Sequence, residues 1–185
     1  MGLNAEAIKA GLDYVAALEP KIGVAIERAG YPEPRIRSTG YVTLLRTIVG
    51  QQVSVAAAAS VWNKLAALLG DDIPPEALLA ADFDSLRACG FSRQKQGYAR
   101  SLCELVVSGE LKLDALPADD EEAIAELTRI KGIGRGSAEI YLLFAEGRPD
   151  IWPAGDLAVM AGLADRKSTR LNSSHVVTSR MPSSA

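Results

Sequence analysis

The sequence contains few of the side chains from which metal sites and nucleophilic catalysts are usually built. It has one histidine, His175, and two cysteines, Cys89 and Cys103. The residues needed for a Ser/His/Asp triad or a histidine-rich metal site are therefore almost absent. Two thiols cannot form a four-thiolate cluster or zinc site. We expect both cysteines to be small buried apolar residues. Chemistry in this chain must rest on carboxylates and on the backbone.

Long hydrophobic runs and an N-terminal targeting signal are also absent from the sequence. The longest clean apolar run, Ile140 to Ala145, is far shorter than the roughly 18 residues that a membrane-spanning helix needs. The N-terminal residues lack an apolar core, and Glu6 stands where a myristoylation signal requires Ser or Thr. We therefore expect a cytoplasmic protein that does not bind membranes.

The chain also has no excess of basic charge. Its 20 Lys and Arg residues stand against 23 Asp and Glu residues, which gives a formal net charge of −3. Proteins that bind nucleic acid usually carry a basic excess, so the overall charge argues weakly against that function. Any contact with nucleic acid must therefore be made by a local site.

Residues 167–185 differ in composition from the rest of the chain. They contain eight Ser and Thr, three bases and no acid, with no sustained periodicity, and this composition predicts disorder. The segment also resembles the adapter-derived read-through found at the ends of contaminated sequence assemblies, so we expect it to be non-native. We place one helical domain at residues 1–166 and expect it to be incomplete at its C-terminal end.

Apolar residues recur at helical spacing through most of residues 1–166. The pattern predicts helices at Tyr41–Val49, Val61–Leu69, Ala5–Leu18, Lys21–Ala29, Pro75–Ala80, Phe83–Cys89, Ser92–Val107 and Asp120–Ile130. The predicted N-cap residues are Ser38, Ser92 and Asp119. No stretch alternates apolar and polar residues as a half-buried strand does, so we predict an all-α bundle of short helices.

The most informative stretch of the sequence is Leu127–Phe144. Three glycines, Gly132, Gly134 and Gly136, interrupt a helical pattern that then resumes, which predicts a helix, a tight hairpin and a second helix. The N–H groups at the start of the second helix suit a phosphate oxygen, and glycine allows its close approach. The alternative is an ordinary corner between two helices with a glycine C-cap.

A second signal lies in the loop that follows, Arg148–Val159. Here a Pro- and Gly-rich segment delivers Asp156 at or next to the start of another helix. Taken alone, this pattern favours a helix N-cap as the role of Asp156.

Together these segments resemble the helix-hairpin-helix (HhH-GPD) DNA glycosylases, and within them the 3-methyladenine DNA glycosylase II group. The resemblance covers roughly residues 36–163 and is carried by Ile48–Val55, Gly90–Lys95 and Leu127–Val159, in the family's order and spacing. It implies the all-α HhH-GPD fold. It also implies a monofunctional enzyme that flips alkylated purines out of double-stranded DNA and hydrolyses the N-glycosidic bond, with Asp156 stabilising the oxocarbenium-like transition state.

The resemblance also assigns the other site residues. The DNA-binding hairpin would be Lys131, Gly132, Ile133, Gly134, Arg135 and Gly136. A monovalent cation would be bound by the main-chain carbonyls of Thr128, Ile130 and Gly132. Gln51 and Gln52 would enter the DNA stack, and Tyr141, Phe144 and Trp152 would line the base pocket, although aromatic residues at such places equally often belong to the core.

Two departures from the family pattern refine the expected chemistry. Gly136 stands where bifunctional relatives carry the Schiff-base lysine, so we expect hydrolysis by water without strand cleavage. The chain lacks the cysteines of the iron-sulfur branch, so we expect no cofactor.

The partner would be alkylated duplex DNA in the bacterial cytosol and nucleoid, bound by a monomer. The alternatives are a noncatalytic helix-hairpin-helix DNA-binding module and a helical protein-interaction domain.

Overall fold

The computed structural model describes residues 3–155 and 160–161, and no strand occurs among them. The chain divides into two units, residues 1–151 and 152–185. The helices of the first unit are α1 (Ala5–Leu18), α2 (Pro20–Ala29), α3 (Tyr41–Gly50), α4 (Val55–Leu69), α5 (Pro75–Ala80), α6 (Phe83–Ala88), α7 (Arg93–Val107), α8 (Asp120–Thr128) and α9 (Arg135–Tyr141). A π-helical turn, Leu142–Glu146, continues α9. The predicted all-α architecture is confirmed.

Side-chain caps explain where several of these helices begin. Ser92 and Asp119 accept hydrogen bonds from the N–H groups of Lys95 and Glu122, so both predicted N-caps are confirmed. The prediction for Ser38 is wrong, because α3 is capped by Gly40, whose φ of 98° turns the chain into the helix. A polar residue two positions away cannot replace a glycine in that conformation.

Several helix ends differ from the predicted ranges, most of all the start of α4, which lies at Val55 and not at Val61. Two of the differences have clear local reasons. Helix α2 begins one residue early because Pro20 occupies its first position, where the missing N–H costs nothing. Helix α8 ends at Thr128 because the N–H groups of Arg129 and Ile130 bond to carbonyls three residues back, which tightens the last turn.

Helix α3 lies at the centre of the core of the first unit. Its residues Leu44, Leu45, Ile48 and Val49 are all buried, as the apolar stripe predicts, and it contacts α4, α7 and α9. By contrast, α1 and α2 pack against each other and contain no buried residue. The core is therefore built on the segment that leads directly into the Gln51–Gln52 loop.

Both cysteines are free and buried, which confirms their expected structural role. Burial raises the pKa of the Cys103 thiol to about 11, and its Sγ lies 3.4 Å from the hydroxyl of Tyr41. That hydroxyl donates to the carbonyl of Ile73 at 3.0 Å. The contacts join α7, α3 and the loop before α5.

No helix among the described residues is long and apolar enough to cross a membrane.

Candidate nucleic-acid interface

The structure places a helix-hairpin-helix where the glycine pattern predicts one. Between α8 and α9 the chain turns through residues 129–134, and the buried side chains of Ile130 and Ile133 fix the turn to the core. Ser101 on α7 accepts a hydrogen bond from the N–H of Lys131 at 3.2 Å. Gly134 caps α9 without a side-chain bond, so the first N–H groups of that helix are not satisfied by a cap. The hairpin therefore presents backbone donors from a rigid base.

No residue other than glycine fits at position 132 of this hairpin. Its φ is +82°, and a Cβ built on it would lie 2.2 Å from Cδ2 of Tyr98. Gly134 and Gly136 have no described atom within 4 Å of such a Cβ. The three glycines, which look equivalent in the sequence, thus have different roles, and Gly132 is required by packing against α7.

The hairpin's two basic residues differ in how their charge is used. Arg135 donates to Glu121 at 2.8 Å and to Glu139 at 2.8 Å, and the hydrogen bond with Glu121 raises the pKa of the guanidinium. No described carboxylate forms an ion pair with Lys131. The charge that this hairpin can offer to a phosphate therefore comes from Lys131 and from the backbone.

The loop after α3 meets the hairpin directly. The side-chain amide of Gln51 donates to the carbonyl of Gly132 at 2.7 Å, although the two residues are 81 positions apart. Gln52 adopts a left-handed φ of 56°. Beside them lies a cavity of about 300 Å³ lined by Gln51, Gln52, Gln94, Lys95, Tyr98 and Gly132. All three segments that carry the family resemblance contribute to this junction.

Two of the three main-chain carbonyls predicted to bind a cation already accept a hydrogen bond. The carbonyl of Gly132 already accepts from Gln51, and that of Ile130 accepts from the N–H of Ile133 at 3.0 Å. A carbonyl oxygen has two lone pairs, so each can take a further partner. The cation at Thr128, Ile130 and Gly132 stays a prediction.

The three predicted pocket aromatics have different environments. Tyr141 is 2% exposed, belongs to the core cluster and accepts a hydrogen bond from the N–H of Gly40 at 2.7 Å, which is the core role left open above. Phe144 is half-buried, and its carbonyl accepts from the N–H of Arg37 at 2.8 Å. Trp152 is 64% exposed. Asp156, the predicted catalytic residue, lies outside the described residues.

Sequence reasoning missed a basic groove along α3. A cavity of about 580 Å³ is lined by Arg37, Ser38, Val42, Thr43, Arg46, Thr47 and Gly50. Arg46 lies over the ring of Trp62 at 3.8 Å from its centroid, and no described carboxylate pairs with it. The available signal was that Arg46 is the one charged residue within the apolar segment Tyr41–Gly50.

Known proteins show similarity over most of this chain. Residues 45–178 match the family model described as HhH-GPD superfamily base excision DNA repair protein. The chain belongs to the HhH-GPD superfamily. DNA-3-methyladenine glycosylase 1 of Schizosaccharomyces pombe is 37% identical over 126 residues, which cover 66% of this chain and 55% of that protein.

Two solved structures of HhH-GPD type resemble the fold. The Bacillus halodurans DNA-3-methyladenine glycosidase has a TM-score of 0.70 and 33% identity, covering 77% of this chain and 67% of that one. The S. pombe 3-methyladenine DNA glycosylase Mag1, solved in complex with abasic DNA, has a TM-score of 0.67 and 31% identity, covering 80% and 75%. This HhH-GPD chain spans about half the length of the curated relatives it matches.

A second feature of this HhH-GPD chain that sequence reasoning missed is the network around Arg148. Its side chain is 15% exposed and donates to the carbonyl of Pro117 at 2.7 Å, to Asp120 at 2.9 Å and to Glu146 at 2.8 Å. The planar guanidinium thus joins the start of α8 to the end of the π-helical turn. It therefore fixes the chain at the end of the π-helical turn.

We expect Arg148→Lys to lower the free energy of unfolding by about 2 kcal/mol, because one ammonium cannot replace a largely buried guanidinium that donates to several part-buried acceptors at once. For a chain of this size that is a fall in Tm of roughly 4–8 °C, measurable by calorimetry. Arg129→Lys is the matched control. Arg129 also pairs with two carboxylates, those of Glu110 and Glu126, but it is 38% exposed, and we expect less than about 1 kcal/mol there. Equal losses in the two variants would contradict a special role for Arg148.

Proposed function

We propose that this chain is a monofunctional DNA glycosylase that removes alkylated purines from double-stranded DNA in base excision repair. The observation that carries the proposal is the junction at which the Gln51–Gln52 loop contacts the hairpin at Gly132. It joins a residue able to enter the DNA stack to a backbone site suited to phosphate. The similarity to 3-methyladenine DNA glycosylases, one of them solved with abasic DNA, supports the substrate class.

In the proposed mechanism the duplex binds across the hairpin and the groove of α3. The N–H groups at the start of α9 and the ammonium of Lys131 hold one phosphate, while Arg37 and Arg46 add positive charge along α3. The net charge of the chain is −3, so this local placement provides the attraction. Gln52 then fills the gap that the flipped nucleotide leaves.

Bond cleavage would rest on Asp156. Its carboxylate would stabilise the positive charge that develops on the sugar as the base departs, and water would complete the hydrolysis. An alkylated purine that already carries positive charge leaves readily, so a single carboxylate suffices. Gly136 provides no amine for a Schiff base, which favours base removal without strand cleavage.

The same proposal covers partners and cofactors. The substrate is alkylated duplex DNA, the protein acts as a monomer in the bacterial cytosol, and the reaction uses a carboxylate and water without a cofactor. A monovalent cation at the carbonyls of Thr128, Ile130 and Gly132 would add positive charge at the phosphate site.

Release of free methylated purine from alkylated duplex DNA tests this function. We expect release from alkylated duplex and none from untreated duplex, together with tighter binding to an abasic duplex than to an intact one. Duplex binding without any base release would instead support a noncatalytic helix-hairpin-helix module. Absence of duplex binding at low salt would support a protein-interaction domain.

A further inference from the structure

We propose that Gln51 is a positioning residue that fastens the Gln51–Gln52 loop to the hairpin, and that Gln52 alone enters the DNA stack. The inference rests on the proposed function and assigns separate roles to two residues that the sequence presents as a pair. Three observations carry it.

The first contact is the hydrogen bond from the amide of Gln51 to the carbonyl of Gly132. Helix α3 ends at Gly50, and Gln51 leaves it in an extended conformation with φ −59° and ψ 131°. Its side chain is half-buried, and its Nε2 donates to the Gly132 oxygen at 2.7 Å. Gly132 itself lies against the ring of Tyr98, so the acceptor belongs to a rigid turn. A side chain held in this way by the hairpin is not available to enter the DNA stack.

The second contact fixes the base of the loop. The ammonium of Lys95 on α7 donates to the carbonyl of Val49 at 2.7 Å, next to the end of α3. A cation at this position satisfies one of the last carbonyls of the helix and complements its dipole. The loop is therefore held at its base by Lys95 and at its first residue by Gln51.

The third observation is the state of Gln52. Its side chain is exposed, it forms no hydrogen bond with any described residue, and its φ of 56° lies in the left-handed region. A residue other than glycine in this conformation persists only when its neighbours hold it there. Gln51 and Lys95 supply that restraint on one side, and Ser54, the N-cap of α4, supplies it on the other.

These contacts fix the distance between the inserted side chain and the phosphate site. An inserted residue stabilises the flipped state only if it is held in register with the phosphates on either side of the lesion. Without the hydrogen bond from Gln51 to the Gly132 carbonyl, Gln52 would still be present, but the loop that carries it would no longer be held in a fixed position relative to the hairpin. Gln51 therefore acts through Gln52.

A double-mutant cycle on binding to a duplex with a stable abasic analogue tests the inference. We expect Gln51→Ala and Gln52→Ala each to reduce the preference for abasic over intact duplex about tenfold, and the double variant to lose little more than either single variant. A 2-aminopurine placed opposite the abasic analogue reports insertion, and both single variants should diminish its fluorescence change.

Gln51→Glu separates the hydrogen bond from the volume of the side chain. A carboxylate of the same shape cannot donate to the Gly132 carbonyl, so we expect a loss of abasic preference at least as large as in Gln51→Ala. Gln94→Glu calibrates the effect of the added charge, because Gln94 lines the same cavity and the hydroxyl of Tyr98 can donate to the new carboxylate. Thermal midpoints of all variants establish that they are folded.

The outcomes distinguish this inference from the proposed function. A wild-type chain that binds abasic and intact duplex equally would overturn the glycosylase proposal, and the role of Gln51 with it. A wild-type chain with abasic preference, combined with additive effects of Gln51→Ala and Gln52→Ala, would overturn only the positioning role. The same holds if Gln51→Glu matches Gln94→Glu in affinity and fluorescence.

Discussion

Asp156→Asn is expected to reduce release of methylated purine by at least about 100-fold while leaving affinity for an abasic duplex within roughly twofold of wild type. The amide keeps the shape of the side chain but removes the charge that opposes the developing oxocarbenium ion, and loss of one such electrostatic group costs about 10²–10³ in rate. Single-turnover release from alkylated duplex and fluorescence anisotropy with abasic duplex measure the two quantities.

Asp150→Asn is the matched control for this substitution. Asp150 belongs to the same Pro- and Gly-rich stretch of sequence, six positions earlier; it is exposed and would lose the same charge. We expect its release rate to remain within about twofold of wild type. Release by Asp156→Asn at the wild-type rate would remove Asp156 from the mechanism, and equal losses in both variants would indicate a general effect of charge in the loop.

Gly132→Ala is expected to have the largest effect among substitutions in the hairpin. The new Cβ would lie 2.2 Å from the Tyr98 ring, and the positive φ of 82° adds backbone strain, so we expect a loss of about 3 kcal/mol or more in the free energy of unfolding. Because the Gly132 carbonyl accepts from Gln51, movement of the hairpin should also remove the preference for abasic DNA. Denaturant unfolding and the abasic binding assay measure both effects.

Gly136→Ala serves as the control for this substitution. It lies within α9, a Cβ there meets no described atom within 4 Å, and alanine is favoured over glycine in a helix, so we expect unchanged or slightly increased stability. Tyr98→Ala combined with Gly132→Ala should recover the steric part of the loss and leave the part due to φ. A stable Gly132→Ala protein with normal abasic binding would contradict the packing role of this glycine.

The sequence predicted the elements of this fold better than the contacts between them. The helices, the hairpin and the caps at Ser92 and Asp119 follow from local periodicity and local hydrogen bonding, both of which a single sequence displays. The cap at Ser38 was wrong because Gly40 is held by the hydroxyl of Tyr141, which lies 101 positions away. Local patterns contain no information about such a partner.

In the candidate site, too, the sequence predicted the residues better than the contacts between them. The glycines and the Gln51–Gln52 pair could be identified from spacing and family resemblance, whereas their different roles depend on tertiary neighbours. Gly132 differs from Gly136 because Tyr98 packs against it, and Gln51 differs from Gln52 because a hairpin carbonyl lies within its reach. The pairing of Arg135 with Glu139 was available as an i, i+4 pattern, but its pairing with Glu121 was not.

The π-helical turn after α9 sets the direction in which the side chains that follow it point. Each residue of an α-helix advances the side-chain direction by about 100°, whereas a π turn accommodates an extra residue without unwinding the helix. The turn at Leu142–Glu146 therefore sets the angle at which Arg148 meets the carbonyl of Pro117. Deleting one residue there would restore regular helix but rotate Arg148 by about a quarter turn away from its acceptors. The length of this segment, more than its apolar character, is what limits insertions and deletions.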